Sequence, residues 1–330
     1  MSGLGVTVGK FYPLHAGHAH LLREASARCE QLVVVVGTRP GQELPGELRA
    51  GWIRELLPAA EVLLTREDIP EAPEPWAART LELLEGRRPD VAFTSEAYGE
   101  AWAAALGAEH VAIDPPRARF PTSGTALRAD LGGRWAELSP PAKAHFARRV
   151  VVLGVESSGT TTLARALAEE LETPWVPEWG RVYWEGRSSG PQPEVWSAAE
   201  FDAIVAGQVR LEEALARRAN RVLVCDTDPL ATAVWARRYL GRPAPEVERA
   251  AAERRPALYL LTAPDFGYVQ DGTRESEAWR ERMHAWFVEA LEGSGVPWRL
   301  LEGEPAARLA AAREAVAPLL RFPPLADPAC

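Results

Sequence analysis

Val8-Gly-Lys-Phe-Tyr-Pro-Leu-His-Ala-Gly-His18 is the stretch whose reading decides the fold. Apolar Val6 and Val8 end a short strand, Gly9 lets the backbone turn, and Pro13 stiffens the exit. His15 and His18 then open a helix that continues through Leu21, Leu22 and Ala25. Their spacing puts both imidazoles on one helical face near its N-terminus. The unpaired N–H groups there form an anion site. Added imidazole donors suit a triphosphate whose leaving group is pyrophosphate.

Working outward, residues 3–150 alternate strand and helix patterns. Apolar runs at 33–36, 62–64, 91–93 and 111–113 read as buried strands, with helices around 16–29, 47–57, 76–86 and 97–106. This alternation predicts an α/β fold with a doubly wound parallel sheet and ligands at the carboxyl ends of its strands. A second polar motif, Thr122-Ser-Gly-Thr-Ala-Leu-Arg128, can cap and open a short helix whose hydroxyls and guanidinium face phosphates. Ser139-Pro-Pro marks a linker, with a connecting helix at 142–148, and the pattern then restarts. Strands are expected at 150–153, 175–177, 222–225, 257–261 and 298–301, with long helices at 196–218 and 275–291. The chain therefore reads as two doubly wound parallel-sheet domains: 1–138, a linker at 139–148, and 149–330.

Bulk composition narrows the function. A net charge of −9 argues against DNA or an anionic membrane as the main partner. Cys29, Cys225 and Cys330 form neither a CxxC pattern nor a disulfide framework, and no apolar run reaches transmembrane length. Met1 leads straight into a strand, so no signal peptide is expected and the protein reads as cytoplasmic. Lys10 and Lys143 are the only lysines. In a composition that has nearly abandoned lysine, one beside the histidine motif points to a need for an ammonium there.

The order Lys-Phe-x-Pro-x-His-x-Gly-His, then Ser-x-Thr-x-x-Arg, resembles the nucleotidylyltransferase superfamily over 5–131. The resemblance implies attack by a substrate phosphate on the α-phosphorus of ATP, with release of pyrophosphate. It assigns His15 and His18 to the charge growing on the α-phosphate and leaving group, and Lys10, Thr125 and Arg128 to the phosphates. Gly9, Phe11, Gly17 and Ser123 fall along the same ATP site. No side-chain nucleophile is needed, because positioning and charge stabilisation supply the catalysis.

The second domain opens with Gly154-Val-Glu-Ser-Ser-Gly-Thr-Thr-Thr162, nearly a Walker A loop. Its strand, glycines and following helix suit a nest of backbone N–H groups for phosphate, with Glu156, Ser157, Ser158 and Thr162 along the turn. Thr160 stands where the pattern has lysine, while Thr161 keeps the hydroxyl that binds Mg²⁺. Asp226-Thr-Asp228 ends a strand, where a Walker B carboxylate holds Mg²⁺. Glu178-Trp-Gly-Arg181 follows the second strand of the domain, and Asp271-Gly-Thr-Arg274 lies in a polar stretch suited to a lid.

Taken together, these motifs resemble the NadR-type bifunctional nicotinamide mononucleotide (NMN) adenylyltransferase and ribosylnicotinamide kinase family over about 5–320. The family implies a P-loop kinase domain that makes NMN from nicotinamide riboside and ATP, and an adenylyltransferase domain that joins NMN to ATP, with Mg²⁺ in use. Glu178 is the first candidate for the kinase base and Asp228 the alternative. Trp179, Arg181, Asp226 and Asp271 are placed on the substrate, and Arg274 at the γ-phosphate, where it could compensate for Thr160. The N-terminal DNA-binding domain of some members is not expected, nor is a repressor role; a homo-oligomer remains open. Within the same class, an adenylyltransferase acting on phosphopantetheine or FMN is the alternative. In a different class, the second domain only binds nucleotide as a regulator, which the loss of the Walker A lysine favours.

Overall fold

The computed structural model describes residues 2–187, 195–265 and 277–327. Two compact units emerge. One holds residues up to Ala142 together with the segment from Phe322 on, and the other spans Lys143–Arg321.

The first unit is a parallel sheet of β1 (Ser2–Gly9), β2 (Cys29–Thr38), β3 (Glu61–Arg66), β4 (Val91–Thr94) and β5 (Glu109–Ala112), in the order β3-β2-β1-β4-β5. Its helices are α1 (Ala16–Ser26), α2 (Gly46–Leu56), α3 (Pro73–Leu83), α4 (Gly99–Leu106) and α5 (Gly124–Ala129). The run Val33-Val34-Val35-Val36 has no exposed surface, as expected for a strand covered on both faces by helices. Val6, Val33, Val35, Ala92, Trp102 and Leu106 form one core between sheet and helices. The strand order reverses at β1 and β4, so a crevice opens at their carboxyl ends.

The linker helix α6 runs Pro140–Phe146, not 142–148. Proline is favoured in the first helical turn, which pulls the start forward. Strand pairing then claims Arg148, whose register partner is Val222.

The second unit is also parallel: β6 (Arg148–Gly154), β7 (Trp175–Val176), β8 (Val222–Asp226), β9 (Leu258–Thr262) and β10 (Trp298–Leu301), in the order β10-β9-β6-β8-β7. Its helices are α7 (Thr160–Glu170), α8 (Trp179–Arg187), α9 (Ala198–Ala216), α10 (Pro229–Leu240), α11 (Pro245–Glu253), α12 (Glu277–Ser294) and α13 (Pro305–Val316). Val150, Val152, Val222, Val224, Leu258 and Leu260 pack against Leu163 and Leu167 of α7. Central β6 therefore delivers its loop, and β8 its terminal carboxylate, to one edge of the sheet.

The segment 322–327 departs from the expectation that everything after 149 belongs to the second domain. Phe322 packs on Trp135 with ring centroids 5.3 Å apart, and Leu325 N donates to Arg128 O at 2.9 Å. A Phe-Pro-Pro-Leu-Ala-Asp stretch has no periodicity to announce such a return.

Candidate active sites

In the first unit, His15 is the N-cap of α1, and its Nδ1 accepts from His18 N at 3.3 Å. The two rings stack, with centroids 3.6 Å apart and planes 20° from parallel. Phe11 meets His18 edge-on at 5.0 Å. Gly17 makes this packing possible: a Cβ there would come within 3.2 Å of the His15 ring and 3.3 Å of Thr122 Cγ2. At Gly9 a Cβ would press on the Phe11 ring at 3.3 Å.

Burial pushes the His15 pKa down to about 4, helped by the Arg117 charge. His18 is held well below its ordinary value by burial first, then by His15 and Arg117. Both imidazoles are therefore neutral near pH 7; His15, whose Nδ1 accepts from the backbone, keeps an N–H for a phosphate, while the His18 ring also bonds the Pro13 carbonyl.

Ser123 caps α5 through Ala126 N at 3.2 Å. Arg128, one turn on, donates from Nη1 to Tyr12 O at 2.9 Å and from Nη2 to Thr125 Oγ1 at 3.1 Å. Gly124 permits the approach, since a Cβ there would lie 3.0 Å from Tyr12 O. The two motifs are thus joined directly. Lys10 Nζ lies 3.6 Å from Glu67 and 3.9 Å from Glu71, with Arg39 on the same two carboxylates.

Two residues without motif character also shape this site. Arg49 is completely buried, donating to Leu44 O, Gly37 O, Lys10 O and Gln42 Oε1. It therefore ties the ends of β1 and β2 to the loop between β2 and α2. Arg117 pairs with Glu96 at 2.5 Å and bears on both histidines. Neither has a local signature, because both act through backbone groups or charges far off in sequence.

In the second unit, the P-loop follows β6. Ser157 and Gly159 take positive φ, +60° and +85°, which turns successive N–H groups inward. Ser158 is buried; its Oγ donates to Val155 O at 2.6 Å and shares a hydrogen with Thr262 Oγ1 at 2.7 Å. Two guanidinium groups hold the loop from behind. Arg308, 2% exposed, donates to Ser158 O at 2.7 Å and pairs with Asp265, and Arg280 donates to Glu156 O at 3.3 Å.

Thr161 Oγ1 donates to Asp226 Oδ2 at 2.6 Å. Burial raises the Asp226 pKa, opposed by hydrogen bonds from Thr161 and Thr160 and by the Arg181 charge. Among the described residues no group of three or more His, Cys, Asp or Glu could enclose a metal. One carboxylate and one hydroxyl together still fit Mg²⁺, which keeps waters and takes its remaining oxygens from phosphates.

Glu178 precedes α8, and its pKa is pushed up to about 7 by burial first, then by Asp226, with Arg181 opposing and Glu156 adding. Buried Gln208 fixes this corner: it accepts from Trp179 N at 2.8 Å and donates to Thr227 O at 3.4 Å. Trp179 packs on α9, where a Cβ at Gly207 would collide with its indole.

Asp228 is differently engaged. It is 3% exposed, its Oδ1 caps α10 through Ala231 N at 3.0 Å, and its Oδ2 accepts from Tyr259 Oη at 2.7 Å. Both oxygens serve the fold, which leaves Glu178 as the carboxylate without such ties. Asp271 and Arg274 lie outside the described residues. No helix among the described residues is long and apolar enough to cross a membrane.

Comparison with known proteins agrees with this division. A cytidylyltransferase-like family matches residues 6–67, and an AAA domain family matches 149–308. The trifunctional NAD biosynthesis/regulator protein NadR of Escherichia coli K12 is 28% identical over 327 residues, covering 91% of this chain and 79% of the relative. The Salmonella typhimurium LT2 protein of the same description is 28% identical, covering 89% of this chain and 77% of its own. A crystal structure of NadR protein in complex with NR superposes with a TM-score of 0.72 at 23% identity, over 97% of this chain and 96% of that one. A second, in complex with NAD and AMP-PNP, gives 0.70 at 22% identity over 97% of each chain. Their likeness establishes the shared fold of the two units.

Proposed function

We propose that this chain, a homologue of the NadR proteins over nine-tenths of its length, makes NAD by two phosphate transfers, one in each unit. In the first, a phosphate oxygen of NMN attacks the α-phosphorus of ATP. The bond to the bridging α–β oxygen breaks, and pyrophosphate leaves. Neutral His15 and His18 donate N–H bonds to the oxygens gaining charge, and Arg128 and Thr125 hold the phosphates. The stacked histidine pair at the start of α1, bound through Tyr12 and Arg128 to the second motif, is the observation that carries this reading.

In the second unit, Glu178 takes the 5′-hydroxyl proton of nicotinamide riboside while that oxygen attacks the γ-phosphorus of ATP and ADP departs. A carboxylate with a pKa of about 7 is matched to that task near neutral pH. Thr161 and Asp226 would hold Mg²⁺, which when bound neutralises charge on the β- and γ-phosphates. Arg181 and Trp179 lie beside Glu178 and orient the riboside. The reading is of a cytoplasmic enzyme that acts on small molecules.

Thr160 favours a second reading, in which the P-loop unit binds nucleotide without transferring phosphate. Single-turnover incubation of nicotinamide riboside with saturating ATP and Mg²⁺ separates the two. The kinase reading expects NMN or the NAD made from it; absence of both, with added NMN still adenylylated, would support the regulator.

A further inference from the structure

Asp327 has no place in either motif, yet its two carboxylate oxygens hold two different parts of the first site. Oδ2 lies 3.3 Å from Arg128 Nη2, and Oδ1 accepts from Gln42 Nε2 at 3.3 Å. Gln42 Oε1 in turn accepts from Arg49 Nη2 at 2.7 Å and from Arg39 N at 3.0 Å. A continuous chain of polar contacts therefore runs from buried Arg49 through Gln42 and Asp327 to the motif arginine. Tyr12 lies between the ends of that chain, with Arg49 and Arg128 at 5.3 Å and 5.6 Å from its ring centre.

The neighbours of Asp327 anchor it. Leu325 N donates to Arg128 O at 2.9 Å, Ala326 N to Glu43 Oε1 at 2.7 Å, and Tyr12 Oη to Ala326 O at 2.6 Å. Tyr12 Oη also accepts from Glu43 N at 3.2 Å.

We propose that Asp327 is a positioning residue of the adenylyl-transfer site, locking Arg128 and the loop between β2 and α2 in the geometry that receives ATP. The proposal rests on the adenylyl-transfer reading above. A carboxylate beside a phosphate-binding arginine can act in two ways: as a plug that ATP must displace, or as a brace that stays. The anchoring decides for a brace. The bonded backbone of Leu325 and Ala326 holds the Asp327 carboxylate against Arg128, and its second oxygen is already committed to Gln42. Arginine has five N–H donors. Tyr12 O and Thr125 Oγ1 accept two of them and Asp327 pairs with the same Nη2, which leaves N–H groups of the guanidinium for a phosphate. A brace of this kind trades part of the arginine's charge for a fixed orientation.

The test uses the full chain and compares wild type, Asp327→Ala and Asp327→Glu in steady-state NAD formation from NMN and ATP. Thermal unfolding is recorded for each variant. Losing one charge-assisted contact to the ATP-binding arginine is expected to raise KM for ATP about five- to tenfold, with kcat within about twofold of wild type. Asp327→Glu should recover most of the loss, because it restores the carboxylate. Unchanged kinetics in a folded Asp327→Ala variant would overturn the proposal. A lower KM would overturn it too, by revealing a plug. AMP-PNP affinity, measured by calorimetry in an Asp226→Asn background to weaken the second site, keeps the two claims apart. If wild type makes no NAD, the adenylyl-transfer reading fails; Asp327 then stands only if Asp327→Ala still weakens AMP-PNP binding, and falls if it does not.

Discussion

The two phosphate sites of this chain both use burial, and burial moves their key groups in opposite directions. Low polarity penalises whichever form carries charge. In the first unit that form is the imidazolium, so His15 falls to about 4 and His18 well below its usual value. In the second it is the carboxylate, so Glu178 rises to about 7 with Asp226 adding to the push. One site is built from neutral donors that need not titrate in order to work. The other holds a carboxylate poised at the pH where the proposed base must accept a proton. Adenylyl transfer needs charge stabilisation, whereas phosphorylation of a hydroxyl needs somewhere for the proton to go.

Kinetics of separated activities should sharpen this contrast. Glu178→Gln is expected to lower phosphorylation of nicotinamide riboside by roughly 10²- to 10⁴-fold while leaving adenylylation of NMN intact. Equal loss of both activities would erase the distinction between the sites. His18→Ala should lower adenylylation by about 10²- to 10³-fold, the scale of removing one donor to developing charge, and spare the kinase. An unchanged turnover number would remove His18 from the reaction.

The pH profiles should differ as well. Kinase kcat/KM should rise with pH through about 7 as Glu178 ionises, and that limb should vanish in Glu178→Gln. Adenylylation should show no histidine limb between pH 6 and 8, because His15 takes up a proton only near pH 4. Stability follows with opposite signs. A histidine lowered from 6.5 to about 4 leaves its unit fully stable above pH 6.5 and costs it about 3 kcal/mol as pH falls to 4. Carboxylates raised as Glu178, Glu212 and Asp228 are favour their unit at low pH, and that stability is lost as pH rises through about 6 to 7. Hydrogen exchange resolved by unit, at pH 5 and pH 7.5, measures both slopes; parallel slopes would contradict the comparison.

A smaller effect concerns the missing lysine. Thr160→Lys should raise kinase turnover severalfold if an absent ammonium limits phosphoryl transfer. A fall would mean that the loop has no room for it, since the Thr160 and Thr161 hydroxyls already serve Asp226.

Most of the fold was legible because its signals are local. The valine run of β2 and the β-branched run of β6 could only be strands covered on both faces, and the turns after β1 and β6 carried their own glycines. The pairs His15/His18 and Thr161/Asp226 were legible for a related reason: each sits at a strand end or helix start, where topology gathers ligands. What escaped depends on distant partners. Asp228 had the right address for a base, but Tyr259 and the start of α10 take its oxygens. Lys10 stood beside the histidine motif, yet Glu67 and Glu71 face its ammonium. Arg49, Gln208 and Asp327 act across separations of up to 285 residues, through contacts that no periodicity or motif encodes.

The central claim, that two differently tuned sites act in sequence, is tested most directly by incubating nicotinamide riboside, ATP and Mg²⁺ with the protein and identifying products by mass. The account predicts NAD from wild type, NMN accumulating without NAD from His18→Ala, and unreacted riboside from Glu178→Gln, which should still convert added NMN to NAD. Unreacted riboside with wild-type protein that still converts added NMN would contradict it, leaving the second unit as a nucleotide-binding regulator.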